Sequence, residues 1–315
     1  MKNPRNLSSR RGFTLMELMV AMAITTIIVT VLVSITSIAL ETWNRSRSEL
    51  KASRQAKSMI DTLARDFESL VVRRGNNNQW LSALAATDEV GDSIASTNAT
   101  EYIFFTAVTD RYNGQVGVQN EDKGGDVSCV AYKLYYRNPL DSGSNDFETF
   151  VVNRLLVDPD DTFEKLLGET DSTDDAKTLD RVFAATTFSS DLEKPENFVC
   201  ENVFQFSVTF NVQVTDNAAG GGTQVKNVPV TIGRNNETQE FRLSGNGIFS
   251  DYTGSEVTTA ELTSGRISSV DISVTVLSDF GIEQLSRRKF TDTQKADFLA
   301  KNSYEFTKTV QIPSM

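Results

Sequence analysis

The chain has 315 residues, with 31 Lys plus Arg, 42 Asp plus Glu and no histidine, and its formal net charge is −11. The absence of histidine excludes Ser-His-Asp and Cys-His nucleophile systems and zinc sites built on imidazole. Four bases, Lys2, Arg5, Arg10 and Arg11, lie near the amino terminus, so the rest of the chain is more acidic still. Because this acidic remainder of the chain repels phosphate groups, we expect no nucleic acid partner.

The first long element is an apolar segment. Residues 13–40 are apolar or small and polar throughout, and Glu17 is their only charged residue. As a helix this segment spans about 42 Å, more than the roughly 30 Å hydrocarbon core of a bilayer. Its charge-free part, residues 18–40, is longer than the roughly 7–15 apolar residues of a cleaved secretory signal. The segment predicts a single transmembrane helix.

Glu17 is the unusual residue of this helix. A carboxylate at membrane depth is costly and is kept where it has a partner or faces protein. One interpretation is that Glu17 extends toward Arg10 and Arg11, one to two turns away. The other is that its partner is a cation from outside its own helix.

The sequence around Glu17 resembles a known processing motif. Residues 10–20, RRGFTLMELMV, are similar to the leader and cleavage motif of type IV prepilins and type II secretion pseudopilins. The resemblance implies cleavage after Gly12 by a prepilin peptidase, methylation of the new amino group of Phe13, and a role for Glu17 in filament assembly. That amine is mostly cationic at neutral pH, so Glu17 of one subunit can neutralise Phe13 of a neighbour. Such a buried pair sets register more than net stability.

The apolar pattern continues beyond the membrane segment. No Pro or Gly occurs between Phe13 and Arg74, and apolar residues recur at steps of three and four as far as Val71. The pattern predicts an amphipathic continuation that ends at Arg73 and Arg74, with Gly75 in the position after the helix.

The rest of the chain alternates with a period of two, which is typical of half-buried antiparallel strands. We predict strands at residues 102–108, 130–136, 150–157, 204–214, 225–232, 241–243, 270–276 and 304–312, a long hairpin through residues 215–223, and a helix at residues 292–302. The predicted fold is α+β, a long N-terminal helix packed on an antiparallel, β-rich, pilin-like head. The predicted organisation is a leader at residues 1–12, a transmembrane half-helix at 13–40, an amphipathic half-helix at 41–75 and a head at 76–315.

The head offers two weak site candidates. Cys129 and Cys200 are compatible with one disulfide in an oxidising compartment, and equally with two unrelated buried thiols. Asp158, Asp160 and Asp161 supply oxygen ligands of the kind calcium uses, but without the spacing of an EF-hand, so a solvated loop is the favoured interpretation. No other metal and no cofactor is expected.

Two further segments, residues 54–67 and 268–274, resemble J-type minor pseudopilins, and the head is larger than in a typical major pilin. The resemblance implies a non-enzymatic minor pilin or pseudopilin that initiates or caps a filament, with its head in the periplasm. Expected partners are other pilins or pseudopilins, the prepilin peptidase, the inner-membrane assembly platform and membrane lipid. The alternatives are a pilus-tip adhesin or DNA receptor, and a membrane-anchored extracytoplasmic enzyme.

Overall fold

The computed structural model describes residues 14–86, 99–107, 125–140, 148–217, 223–234, 238–254, 257–288 and 290–312. The chain divides into two compact units, one ending at Ser48 and the other beginning at Glu49. The longer helices are α1 (Leu15–Glu68), α3 (Leu179–Ala185), α4 (Phe188–Leu192), α5 (Thr259–Ser264), α6 (Asp279–Arg287) and α7 (Asp292–Asn302), and α2 (Pro159–Asp161) continues into a π-helix (Thr162–Leu167). The strands are β1 (Gln79–Ala86), β2 (Ala99–Thr106), β3 (Ser128–Arg137), β4 (Thr149–Val157), β5 (Phe198–Glu201), β6 (Val203–Asn217), β7 (Thr223–Ile232), β8 (Glu240–Ser244), β9 (Gly247–Ser250), β10 (Arg266–Leu277) and β11 (Ser303–Gln311).

The α+β fold class is confirmed: a long N-terminal helix is followed by antiparallel sheets. The larger sheet has the order β5-β4-β3-β2-β1-β8-β9, and the smaller one has the order β11-β10-β6-β7. Strands β6 and β7 pair from Val208 with Ile232 to Asn217 with Thr223, which confirms the predicted hairpin. The predicted late helix and final strand are also present as α7 and β11.

Helix α1 ends earlier than predicted, at Glu68 instead of Arg74. The Ser69 hydroxyl donates to the Arg65 carbonyl at 2.7 Å, and the Thr106 hydroxyl donates to the Asp66 carbonyl at 3.1 Å. These bonds satisfy carbonyls that the last helical turn leaves without partners. The chain then pairs with the end of β2 through Leu70, so the prediction that Gly75 follows the helix is wrong.

One hydrophobic core joins α1 to both sheets. The buried face of α1 within the second unit consists of Ala52, Ala56, Met59, Ile60, Leu63, Ala64, Asp66 and Phe67. The Phe67 ring stacks on Phe104 of β2 at 4.4 Å between centroids and meets Phe210 of β6 edge-on at 6.3 Å. The apolar sides of β3, β6 and β10 that the alternation predicted all lie in this core.

A second, smaller core lies on the opposite side of the larger sheet. Trp80, Phe105 and Cys129 of the sheet pack there against Leu179 and Phe183 of α3. This helical layer spans the acidic region after β4, where the sequence pattern predicted no regular element. It covers one side of the larger sheet, so both sides of that sheet are buried.

Candidate functional site

The N-terminal part of α1 exposes its apolar side chains. The most apolar stretch of 18 residues has a mean hydropathy of 2.6, and none of it is buried. Residues 14–47 are all exposed, whereas burial on the helix begins only at Ala52. An apolar surface of this length needs a lipid or protein environment. The helix is therefore long and apolar enough to cross a membrane.

Glu17 lies in the first turn of α1 and takes part in its capping. The Thr14 N–H and the Thr14 hydroxyl donate to Glu17 Oε2 at 2.9 and 3.0 Å, and the Glu17 N–H donates to Thr14 Oγ1 at 3.2 Å. This reciprocal arrangement is a capping box, whose Thr-x-x-Glu signature is readable in the sequence. Glu17 thus has a partner on its own chain, Thr14, which is not a cation.

Four threonine hydroxyl groups in the apolar segment are satisfied within the helix. Each of four threonine hydroxyls donates to the carbonyl four residues earlier at 2.8 Å: Thr25, Thr26, Thr30 and Thr36. These bonds remove the cost of bringing a hydroxyl donor into an apolar environment. These four threonines are thus compatible with an apolar environment.

The predicted cleavage and methylation residues, Gly12 and Phe13, lie outside the described residues. The described chain begins at Thr14, and α1 begins at Leu15. Cleavage after Gly12 would leave Phe13 directly before the capping residue of the helix. The role of these two residues stays a prediction.

A buried charged cluster fixes α1 to the larger sheet. Asp66 of α1 is 2% exposed, accepts a hydrogen bond from the Tyr132 hydroxyl at 2.5 Å and forms an ion pair with Arg154 at 2.9 Å. Burial, together with the Asp66 carboxylate, raises the pKa of Tyr132 well above its usual value. Sequence patterning missed this cluster, because an aspartate within an apolar stripe gives no indication of its partners.

Both cysteines are free and buried. Cys129 pairs with Val157 of β4 and belongs to the smaller core, whereas Cys200 pairs with Val152 and belongs to the main core. Two β4 residues separated by an odd number of positions point to opposite sides of the sheet, so the two thiols face apart. The structure therefore has two unrelated buried thiols and no disulfide between them.

The three aspartates considered for calcium have local structural roles. Asp158 Oδ1 accepts the Asp161 N–H at 2.9 Å and caps α2. Asp161 forms an ion pair with Lys165 at 2.7 Å, and Asp160 is the middle residue of α2. Within the described part of the chain, no group of three or more acidic or cysteine residues is arranged to hold a metal ion.

Residues 7–33 match the family model described as the prokaryotic N-terminal methylation motif. The match covers the second half of the leader with Arg10 and Arg11, the predicted cleavage position, Glu17 and the apolar segment as far as residue 33. No curated protein and no solved structure matches the chain. The motif and the long apolar helix together support a type IV pilin-type role with a single membrane anchor.

Proposed function

We propose that this chain is a minor pilin or pseudopilin that initiates or caps a type IV pilus-like or type II secretion filament. The observation that carries the proposal is the methylation motif at residues 7–33, which ends inside an apolar helix whose residues 14–47 are all exposed. A soluble enzyme has no use for such a helix. A filament subunit uses it first in the membrane and then against the helices of other subunits.

The chemistry of assembly centres on Glu17. Both Thr14 donors bind the same carboxylate oxygen, Oε2. The capping box therefore orients the carboxylate at the start of the helix, and Oε1 is the oxygen that reaches the Phe13 amine of a neighbouring subunit. The pair neutralises two charges in a dry helical bundle and fixes the axial register of the incoming subunit.

The position in the filament follows from the resemblance to J-type minor pseudopilins. The two similar segments form the buried stripe of α1 and strand β10, which is central to the smaller sheet. Heterologous contacts between such subunits do not close, so they produce a helical filament. The role is structural and non-enzymatic, with other pilins, the prepilin peptidase and the assembly platform as partners, and the head is periplasmic.

Substituting Glu17 tests the proposal directly. We expect Glu17→Ala to be processed and inserted normally but to be depleted from sheared filaments, because the amine of its neighbour loses its counter-ion. The matched control is Glu41→Ala, which removes the next acid along the exposed part of α1. Normal incorporation of Glu17→Ala would exclude the pairing, and turnover of a substrate by the purified protein would favour a membrane-anchored enzyme instead.

A further inference from the structure

A cleft of about 280 Å³ lies between the segment that follows α1, the turn that joins β8 to β9, and the junction of α5 with β10. All of these parts belong to the second compact unit. Val72, Leu243 and Ile267 form the apolar part of the lining. Arg74 and Arg266 are the only charged residues of the described chain that line it. Small-molecule sites have volumes of about 300–1,000 Å³, so this slightly smaller cleft accepts one side chain or a small acid.

Backbone contacts hold the walls of the cleft together. The Gly75 N–H donates to the Gly245 carbonyl at 3.0 Å, which joins the segment after α1 to the turn. A Cβ atom on Gly247 would clash with the Thr263 carbonyl oxygen, so the turn approaches α5 as closely as only glycine permits. Both arginines lie within three residues of these contacts in the sequence, so the fold fixes their backbone positions.

Neither arginine of the cleft is neutralised by an acid of the described residues. The Arg74 side chain is exposed and forms no hydrogen bond or ion pair with them. Arg266 Nε and Nη2 donate to the side-chain oxygen of Gln213 at 3.2 and 3.0 Å, and this neutral partner orients the guanidinium group. The whole chain has 31 bases against 42 acids, so the lack of a counter-charge here does not come from a shortage of acids.

The acids on the elements that form the cleft are bound elsewhere. Glu261 of α5 caps the start of its own helix together with Thr258. Glu240 of β8 pairs with Arg242, and Asp271 of β10 accepts side-chain hydrogen bonds from both neighbouring strands. None of these three carboxylates lines the cleft, and β9 and residues 69–78 contain no acid. The counter-ion of the two arginines therefore has to come from another molecule.

The hydroxyl groups of the lining already use their hydrogens within the chain. Three of them donate to main-chain carbonyls at 2.9–3.1 Å: Ser244, Thr263 and Ser264. Their oxygens can therefore act toward a ligand only as acceptors. The best ligand places an anionic group on the guanidinium groups and N–H donors beside it. A carboxylate carried by a peptide has this combination, whereas a phosphate group presents acceptor oxygens on every side.

We infer that this cleft binds the carboxylate of an aspartate or glutamate side chain in a peptide segment of a partner protein. The carboxylate accepts hydrogen bonds from the guanidinium groups of Arg74 and Arg266. Its methylene groups contact Val72 and Ile267, and the hydroxyl oxygens of the lining accept N–H groups of the peptide. The inference is independent of the membrane anchor and of filament assembly, because it uses only contacts inside the second compact unit.

Methyl NMR spectra of the full-length protein in detergent micelles test the inference. Ile267 carries a methyl reporter in the cleft, and Ile272, which is fully buried in the main core, reports the integrity of the fold. The probe is the capped peptide acetyl-Gly-Asp-Gly-amide, and its matched control has Asn in place of Asp. We expect the aspartate peptide to shift the Ile267 signal saturably and to leave Ile272 unchanged. Equal shifts with the two peptides, or none with either, would overturn the inference.

Substitution of the arginines separates the cleft from general attraction to basic residues. Arg74→Gln and Arg266→Gln should each weaken binding of the aspartate peptide by about fivefold or more, since each removes one charged donor. Arg73→Gln is the matched control, because Arg73 is exposed and adjacent in sequence but does not line the cleft. Equal weakening by all three substitutions, or unchanged affinity in Arg74→Gln and Arg266→Gln, would contradict the assignment.

Inorganic phosphate distinguishes the carboxylate from another oxyanion. Sodium phosphate is titrated at constant ionic strength, and the Ile267 signal is followed as before. We expect phosphate to bind more weakly than the aspartate peptide and to compete with it for the same cleft. Tighter binding of phosphate than of the peptide would identify a phosphate site and would refute recognition of an acidic side chain.

Discussion

Removing Asp66 should destabilise the head more than any surface substitution, because its carboxylate is buried among three donor atoms. Tyr132 Oη lies 2.5 Å from Oδ2, Arg154 Nε lies 2.9 Å from the same oxygen, and Arg154 Nη2 lies 3.2 Å from Oδ1. Breaking a buried ion pair by removing one partner typically costs about 3–5 kcal/mol. The Arg154 side chain is 19% exposed and regains some water, so we expect Asp66→Ala to cost about 3 kcal/mol.

A double-mutant cycle isolates the interaction. Asp66→Ala and Arg154→Met each leave one buried partner uncompensated, so the double variant should be less destabilised than the sum of the single variants by about 2 kcal/mol. The assay is urea unfolding of the full chain in detergent micelles, followed by near-ultraviolet circular dichroism. Asp61→Ala with Lys308→Ala provides an exposed ion pair for comparison, where coupling should be small. Single effects that add to within about 0.5 kcal/mol would refute the account of the cluster.

Three other expectations follow from the head. Cys129 and Cys200 should resist a thiol reagent in the native protein and should both react in denaturant. The reason is that burial raises the pKa of Cys200 to about 12 and raises the pKa of Cys129 further. Rapid labelling of either thiol in the native protein would contradict this. Phe67→Ala empties a fully buried position and should cost about 3–5 kcal/mol of unfolding free energy, and a loss below about 1 kcal/mol would show that the helix does not pack there. The Lys308 ammonium lowers the pKa of Asp61 in the folded protein, so the pair stabilises the fold at pH values above the ordinary pKa of an aspartate. This stabilisation is lost as the pH falls through the lowered pKa. In Asp61→Asn, the free energy of unfolding should therefore decrease less steeply as the pH falls.

Three strands are predictable because the residues that enter the main core alternate with residues that do not. Alternation is regular in β3, β6 and β10, where every second residue enters the main core. The period of two therefore reports burial directly. The late helix α7 is predictable as well, because its first turn contains a Thr-x-x-Gln capping box.

Other elements depend on contacts that have no local signature. The end of α1 is determined by hydroxyl groups of Ser69 and Thr106, and Thr106 is distant in sequence. Strand β1 is rich in alanine and is buried on both sides, so it shows no alternation. The local sequence likewise does not indicate that the strands form two separate sheets, because strands of both sheets contribute to one core.

Glu17 and the buried Asp66 cluster show how far the site could be predicted from the sequence. Glu17 stands out in the sequence as an isolated charge, and the Thr-x-x-Glu signature is readable there too, but only the folded helix shows the hydrogen bonds of Glu17 with Thr14. The buried Asp66 cluster joins three elements and could not be assembled from any one of them.

The central claim is that the chain is processed as a prepilin, and mass spectrometry of the amino terminus of the membrane-purified protein tests it most directly. The account predicts a mature chain that begins at N-methylated Phe13, without the first twelve residues. A functional protein that retains Met1, or one whose mature chain begins at a residue other than Phe13, would contradict the proposed pairing of Glu17 with a neighbouring amine and the filament role built on it.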